Sequence, residues 1–205
     1  MKTRPSLAHE LQLRGVVAGL DEAGCGPWAG PLVAAAVILP EILPTYMTEI
    51  NDSKKLTRAK RAHLFDEITS DRSIIWSVGI VSVDELDSLL LRKALPLAFE
   101  RAVTGLVKSP DNLLIDGIRD PKLPYQTTLL KHGDQLSFSI ATASILAKVT
   151  RDRIMDALHY EFPSYGWNQN AGYGTKQHQQ ALTAFGVTRY HRKSYAPIKV
   201  FLAIL

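Results

Sequence analysis

The chain of 205 residues is 46% hydrophobic and 21% charged, with a mean hydropathy of −0.02 and a net charge of +4, a composition that suits one globular domain with a full core. No apolar run reaches the roughly 18 to 20 residues that cross a bilayer, and the positive start Met1 to Pro5 has no apolar stretch behind it that would make a signal peptide. The single cysteine, Cys25, excludes an internal disulfide and a multi-cysteine metal site, so a reducing, cytoplasmic setting is expected.

In chain order, Gly15 to Leu20 is a short run, β-branched at Val16 and Val17, that reads as a buried strand. It ends in two carboxylates, Asp21 and Glu22, and a turn, Gly24-Cys25-Gly26-Pro27. Neighbouring strand residues point to opposite faces, so these two acids cannot both serve one solvated surface. Taken alone, the pair also fits a strand end that becomes polar where it meets water. Leu32 to Leu39 is a second strand, expected to pair with the first across the glycine loop, and Pro40 to Glu49 is a connection. The polar loop Asn51 to Lys55 precedes a helix over about Thr57 to Ile68 with Leu64, Phe65 and Ile68 inward. Ser73 to Val81 reads as a third strand. Ser82 and Glu85 have capping-box spacing and open a helical region to about Val107, with an expected kink near Pro96.

Asn112 to Ile115 is a short strand ending at Asp116-Gly117, and Gln126 to Leu130 is a fifth, ending at Lys131 to Asp134. Ile140 to Tyr160 is the clearest helix, with Ala143, Ala147, Thr150, Ile154 and Leu158 in one stripe and Lys148, Arg151 and Asp152 away from it. A loop over Pro163 to Gly174 leads to helices near Gln177 to Phe185 and Ala196 to Ile204. Three strands precede any long crossover, so a mixed α/β sheet with an antiparallel side is expected. The organisation expected is an N-terminal segment (1–14), a catalytic domain (15–160) and a helical, basic C-terminal extension (161–205). From Phe162 onward there is no Asp or Glu, while Lys176, Arg189, Arg192, Lys193 and Lys199 give +5, leaving 19 basic against 20 acidic residues, or −1, for the rest. Tyr165, Trp167, Tyr173, Tyr190 and Tyr195 lie among these cations. That mixture suits a nucleic-acid backbone, although it also fits a basic surface with tyrosines half in the core.

Asp21-Glu22, Asp116 and Asp134 each follow an apolar strand, and ligand sites in α/β sheets gather beyond the carboxyl ends of strands. Asp116-Gly117 also fits a simple turn and Asp134 a helix cap. If the four carboxylates converge, they need a cation to neutralise them. An all-oxygen set selects Mg²⁺ or Mn²⁺, and two such ions form the device that clamps the attacking and leaving oxygens of a phosphodiester.

The run Asp21-Glu22-Ala23-Gly24-x-Gly26-Pro27-x-Ala29-Gly30-Pro31 resembles the opening signature of type 2 ribonucleases H, specifically bacterial ribonuclease HII. The resemblance continues through Asn51 to Leu56, Leu114 to Gly117, Lys131-x-Gly133-Asp134, Ala143 to Asp152 and Gly172-Tyr173, in unchanged order from about Gly15 to Lys199. It implies an RNase H-like fold with a central mixed five-stranded sheet flanked by helices, and a site carried by Asp21, Glu22, Asp116 and Asp134 that holds Mn²⁺ or Mg²⁺. The implied reaction is endonucleolytic hydrolysis of RNA in RNA–DNA hybrids and at ribonucleotides within duplex DNA, leaving 3′-hydroxyl and 5′-phosphate ends. One ion would lower the pKa of the attacking water and the other would stabilise the departing oxygen, with Asp21 as the shared carboxylate.

The resemblance further implies that Gly24-Cys25-Gly26 reads the 2′-hydroxyl through its backbone while Tyr173 packs on the next, deoxyribose sugar. Lys54 and Lys55 are candidate phosphate contacts, or else parts of a solvated loop. Cys25 stands where the family usually has Arg; its thiolate should be disfavoured beside the acids, so it is not read as a nucleophile. The short segment before Gly15 argues for type 2 over type 3 enzymes, and the family suggests a monomer. His132, His159, His178 and His191 lack metal-ligand spacing, and most of them are expected at the surface or facing substrate. Two other readings are a non-catalytic hybrid-binding protein and an RNase H-like nuclease acting on DNA. The intact acids speak against the first, and the glycine turn with Tyr173 against the second.

Overall fold

The computed structural model describes residues 4–204. Five strands form one sheet: β1 (Val17–Ala23), β2 (Leu32–Ile38), β3 (Ile75–Val81), β4 (Asn112–Asp116) and β5 (Gln126–Leu130), in the order β3-β2-β1-β4-β5. The first three pair antiparallel, while β4 and β5 add in parallel beside β1, so the sheet is mixed with one antiparallel side, as expected. Strand β1 is central. It does not stop at the acids but carries them within the ladder, Asp21 opposite Ala35 and Glu22 opposite Ala34.

Helices α1 (Arg58–Ser70), α2 (Val83–Thr104) and α3 (Phe138–Glu161) cover the sheet, followed by α4 (Trp167–Asn170), α5 (Lys176–Phe185) and α6 (Ala196–Ile204). Helix α2 closes one core with Ala18, Leu20, Ala34, Ala36, Leu113 and Ile115. On the other face α1 and α3 bury Val33, Ala35 and Val37 against Leu64, Ile68, Ala143 and Ala147. Alternation along β1 therefore turns Gly19 and Asp21 toward α3, and Leu20 and Glu22 toward α2.

A third cluster joins the C-terminal helices to Ala29 of the glycine loop and Met155 of α3, around Tyr165, Trp167, Leu182 and Ile198. The loop is tied into it by backbone bonds: Trp28 N–H to the Gly172 carbonyl (2.8 Å), Gly30 N–H to Tyr190 (2.9 Å) and Arg192 N–H to Trp28 (2.8 Å).

Two expectations need correction. The break in α2 falls at Leu90 (φ 57°, ψ 161°), ahead of Pro96, which lies in the second turn of the helical segment that follows. Arg151, placed off the inward stripe by periodicity, is 1% exposed. Its guanidinium reaches past the helix face to three backbone carbonyls, Ala29, Pro31 and Ala171, at 2.9–3.0 Å.

Candidate active site

Three elements bring acids to one point. Asp21 comes from the central strand, Asp116 from the end of β4 beside it, and Asp134 from the 3₁₀ turn Gly133–Gln135 that leads into α3. One carboxylate oxygen from each lies within 4.8 Å of the other two. The turn is drawn in because the Gly133 N–H donates to Asp116 Oδ1 at 2.7 Å. Asp134 is not a helix cap: Ser137 caps α3, and Asp134 is 3% exposed with a buried Oδ1 that has no partner.

Burial, followed by the charges of Glu22 and Asp116, raises the Asp21 carboxyl well above its ordinary range. Burial and then Asp52 and Asp116 lift Asp134 to about 6. Such a cluster is held together at a cost that a divalent cation would offset, and an orphaned buried carboxylate oxygen among all-oxygen donors fits Mg²⁺ or Mn²⁺. Glu22 faces the opposite side of β1 and lies outside this trio. It accepts a hydrogen bond from Cys25 Sγ at 3.5 Å, and burial raises its pKa too.

The glycine turn lies directly beyond Glu22. Gly24 has φ +107°, and a Cβ there would sit 2.3 Å from Arg151 Nε, so both backbone and packing require glycine. The Cys25 carbonyl points inward, accepting from the Tyr195 hydroxyl (2.7 Å) and Arg192 Nη1 (3.3 Å). Among the described residues the Cys25 and Gly26 N–H groups donate to nothing in the chain, and Gly26 is exposed. Tyr173, half exposed, lies against this turn: a Cβ on Gly26 would stand 3.4 Å from its ring carbon Cε1.

Lys54 Nζ is 3.8 Å from Asp134 Oδ2 on a mostly exposed side chain, whereas Lys55 donates to Gln135 Oε1 at 2.9 Å. Both reach the rim of the acids, and Lys54 is the nearer. A pocket of about 730 Å³ lined by Leu7, Leu13, Val17 and Ile38 opens at the other end of β1 and contains none of the four acids.

Sequence reading missed the groups behind the turn. Arg151 and Arg192 are fully buried, and no carboxylate among the described residues pairs with either; their bonds go to backbone carbonyls and the Tyr195 hydroxyl. Desolvation lowers both pKa values, that of Arg151 to about 10. Arg192, Tyr165 and Trp167 are thus core groups and not part of an aromatic, basic surface. Of the four histidines, most of them expected at the surface or facing substrate, two, His178 and His191, are 0% exposed. Asp52 is a fifth acid near the site, 4% exposed, accepting from the Lys54 N–H at 2.8 Å. The quoted motifs contained Arg151 and Asp52, but one sequence gives no sign that a cation will be buried without an acid.

The model of the family described as ribonuclease HII matches residues 18–198. The chain belongs to the ribonuclease HII family. It is 44% identical to the ribonuclease HII of Wolbachia pipientis subsp. Culex pipiens over 96% of this chain and 98% of that one. It is 48% identical to that of Bacillus mycoides over 93% and 74%. Among solved structures, the ribonuclease H2 from Pyrococcus horikoshii OT3 superposes with a TM-score of 0.73 at 25% identity, over 92% of this chain and 98% of that one. The chain is therefore an RNase H-fold endonuclease, and the fold expected from its motifs is the fold found.

Proposed function

We propose that the protein hydrolyses the RNA strand of RNA–DNA hybrids and cuts at single ribonucleotides in duplex DNA, leaving 3′-hydroxyl and 5′-phosphate ends. The observation that carries this reading is the placement of the Asp21, Asp116 and Asp134 oxygens, within 4.8 Å of one another, beside a turn whose Cys25 and Gly26 amides have no partner among the described residues and against which Tyr173 lies. Asp21, Asp116 and Asp134, with Glu22 from the other face of β1, would hold Mg²⁺ or Mn²⁺. Bound there, such ions would supply the Lewis-acid chemistry that lowers the pKa of an attacking water and offsets the charge on a departing 3′ oxygen.

The chain's own groups select the substrate. The free N–H groups of Cys25 and Gly26 can donate to a 2′-hydroxyl, and only a ribonucleotide offers one. The Cys25 carbonyl is already engaged by Tyr195 and Arg192, so the turn reads through its amides. The exposed face of Tyr173 packs on the following sugar, where a deoxyribose, having no 2′-oxygen, lies closest. Lys54, and Lys55 beyond it, meet backbone phosphates. With Cys25 in place of the family's usual Arg, the turn keeps its amides and loses one cation, which lowers affinity or rate without moving the cut. One chain supplies every group named, which is compatible with a monomer, and the lone thiol suits the reducing cytoplasm.

The test is cleavage of a DNA duplex carrying one ribonucleotide, with Mg²⁺ or Mn²⁺ and an all-DNA control, followed by mapping of the ends. Cleavage at one fixed bond next to the ribonucleotide, and none in the control, is expected. Equal cutting of both duplexes would refute the reading, and Cys25→Arg should raise the rate while leaving the position unchanged.

A further inference from the structure

We infer that His178 is a positioning residue for Tyr173, acting through a histidine pair whose protons are fixed by backbone groups. The inference deepens the reading of Tyr173 as the sugar contact and rests on it. The Nε2 atoms of His178 and His191, both fully buried, lie 2.9 Å apart, so one proton is shared between two nitrogens.

The direction of sharing is set at each end. The Thr188 N–H, which can only donate, reaches His191 Nδ1 at 2.9 Å, so that nitrogen accepts and the His191 proton sits on Nε2. His178 Nε2 must then accept, and the indole N–H of Trp167, another group that can only donate, points at the same atom from 3.3 Å. The His178 proton is left on Nδ1, 2.9 Å from the Tyr173 carbonyl, which can only accept. Three backbone and indole groups with fixed roles agree on one arrangement. Burial pushes both imidazoles toward the neutral form, His191 to about 3, so the arrangement holds across working pH.

The hold on the Tyr173 backbone has a consequence for its ring. Among the described residues the phenol hydroxyl has no partner in the chain, so the ring over Gly26 is aimed by its backbone. That backbone is held at the carbonyl by His178 together with the Thr175 N–H (2.8 Å), and at the amide by the Asn170 carbonyl (2.9 Å). Without the His178 bond the carbonyl keeps only the Thr175 N–H, and the less constrained ring would sample positions off the sugar.

The test measures kcat and KM on the single-ribonucleotide duplex for the parent, Tyr173→Ala, His178→Gln, His178→Asn and the double variant His178→Gln/Tyr173→Ala, with unfolding temperatures alongside. A glutamine amide can meet His191 but not the Tyr173 carbonyl, whereas an asparagine amide can replace the Nδ1–H donor. His178→Gln should raise KM about tenfold with kcat within about threefold, the scale expected of a displaced substrate contact. His178→Asn should recover most of that loss, and the double variant should be no worse than Tyr173→Ala alone. Equal loss in the Gln and Asn variants, or losses that multiply in the double variant, would overturn the inference. Should the variants fail to fold, ¹⁵N spectra of the parent decide: a His178 proton on Nδ1 and a His191 proton on Nε2 support it, and the reverse overturns it. A Tyr173→Ala enzyme as active as the parent would remove the sugar-contact reading and the catalytic consequence of this bond, leaving the spectra to show whether His178 holds the carbonyl.

Discussion

The Tyr195 hydroxyl donates to the Cys25 carbonyl at 2.7 Å, joining residues 170 apart in sequence. With Arg192 on the same oxygen, it ties the Cys25 carbonyl into the protein, while the Cys25 and Gly26 N–H groups have no partner among the described residues. Tyr195→Phe should therefore cost about 1 kcal/mol, the net worth of one hydrogen bond, and lower kcat/KM several-fold. Arg192→Gln should cost more, about 3 kcal/mol, because the Gly30 and Pro31 carbonyls lose buried donors as well. Thermal unfolding and steady-state hydrolysis of the two variants check the order.

The Cys25 thiol is pushed up to about 12 by burial, then by the Glu22 charge and the hydrogen bond to it. Almost none of it is thiolate at neutral pH. Alkylation by iodoacetamide should run on the order of 10³-fold slower than for a free cysteine, because the thiolate is the reacting form. Glu22→Gln should speed it. A rate matching that of a small thiol would contradict this electrostatic account.

Gly19 lets β1 lie against the start of α3: a Cβ would stand 2.3 Å from the Ser139 carbonyl carbon and 2.5 Å from the Ile140 nitrogen. Backbone atoms cannot move aside as a flexible side chain could. Gly19→Ala should destabilise by about 3 kcal/mol, in the range of overpacked cores. It should also lower activity, since Asp21 is two residues on along the same face. Denaturant unfolding measures the first effect and hydrolysis the second.

Asp134, raised to about 6 from 3.8, gives the metal-free protein a distinct pH dependence. The folded state holds this proton more tightly than the unfolded state. Its contribution is thus full below about pH 4 and is lost as pH rises through about 6. Asp21 is shifted in the same direction. Without metal, Asp134→Asn should match the parent near pH 4 and exceed its stability at pH 7 by on the order of 1 kcal/mol. Added Mn²⁺ should reverse the order, because only the parent keeps all its ligands. Unfolding temperatures across pH 4 to 8, with and without Mn²⁺, test both signs.

Much of this was legible in the sequence for physical reasons. Short apolar and β-branched runs marked the five strands, two of them ending in acids, and the alternation rule separated Asp21 from Glu22, which do face opposite sides of β1. What stayed hidden depends on distant backbone. The helix break at Leu90 has no signal in its side chain, whereas Pro96 announces a missing N–H and drew the kink to itself. Arg151 reads as a solvated helix cation because nothing local shows that the Ala29, Pro31 and Ala171 carbonyls await it. His178 and His191 lack metal-ligand spacing, as the sequence said, but their shared proton appears only once α5 and the loop after it are packed together.

The central claim is that the acids at the carboxyl ends of β1 and β4, with Asp134, carry metal-dependent hydrolysis. The most direct measurement is hydrolysis of an RNA–DNA hybrid by Asp21→Asn beside the parent, with Mn²⁺ binding to each followed by calorimetry. Asp21 sits at the centre of the trio, so the variant should stay folded, bind Mn²⁺ more weakly and lose on the order of 10³-fold or more in rate. A folded Asp21→Asn protein that cleaves the hybrid at the parent's rate would contradict the claim.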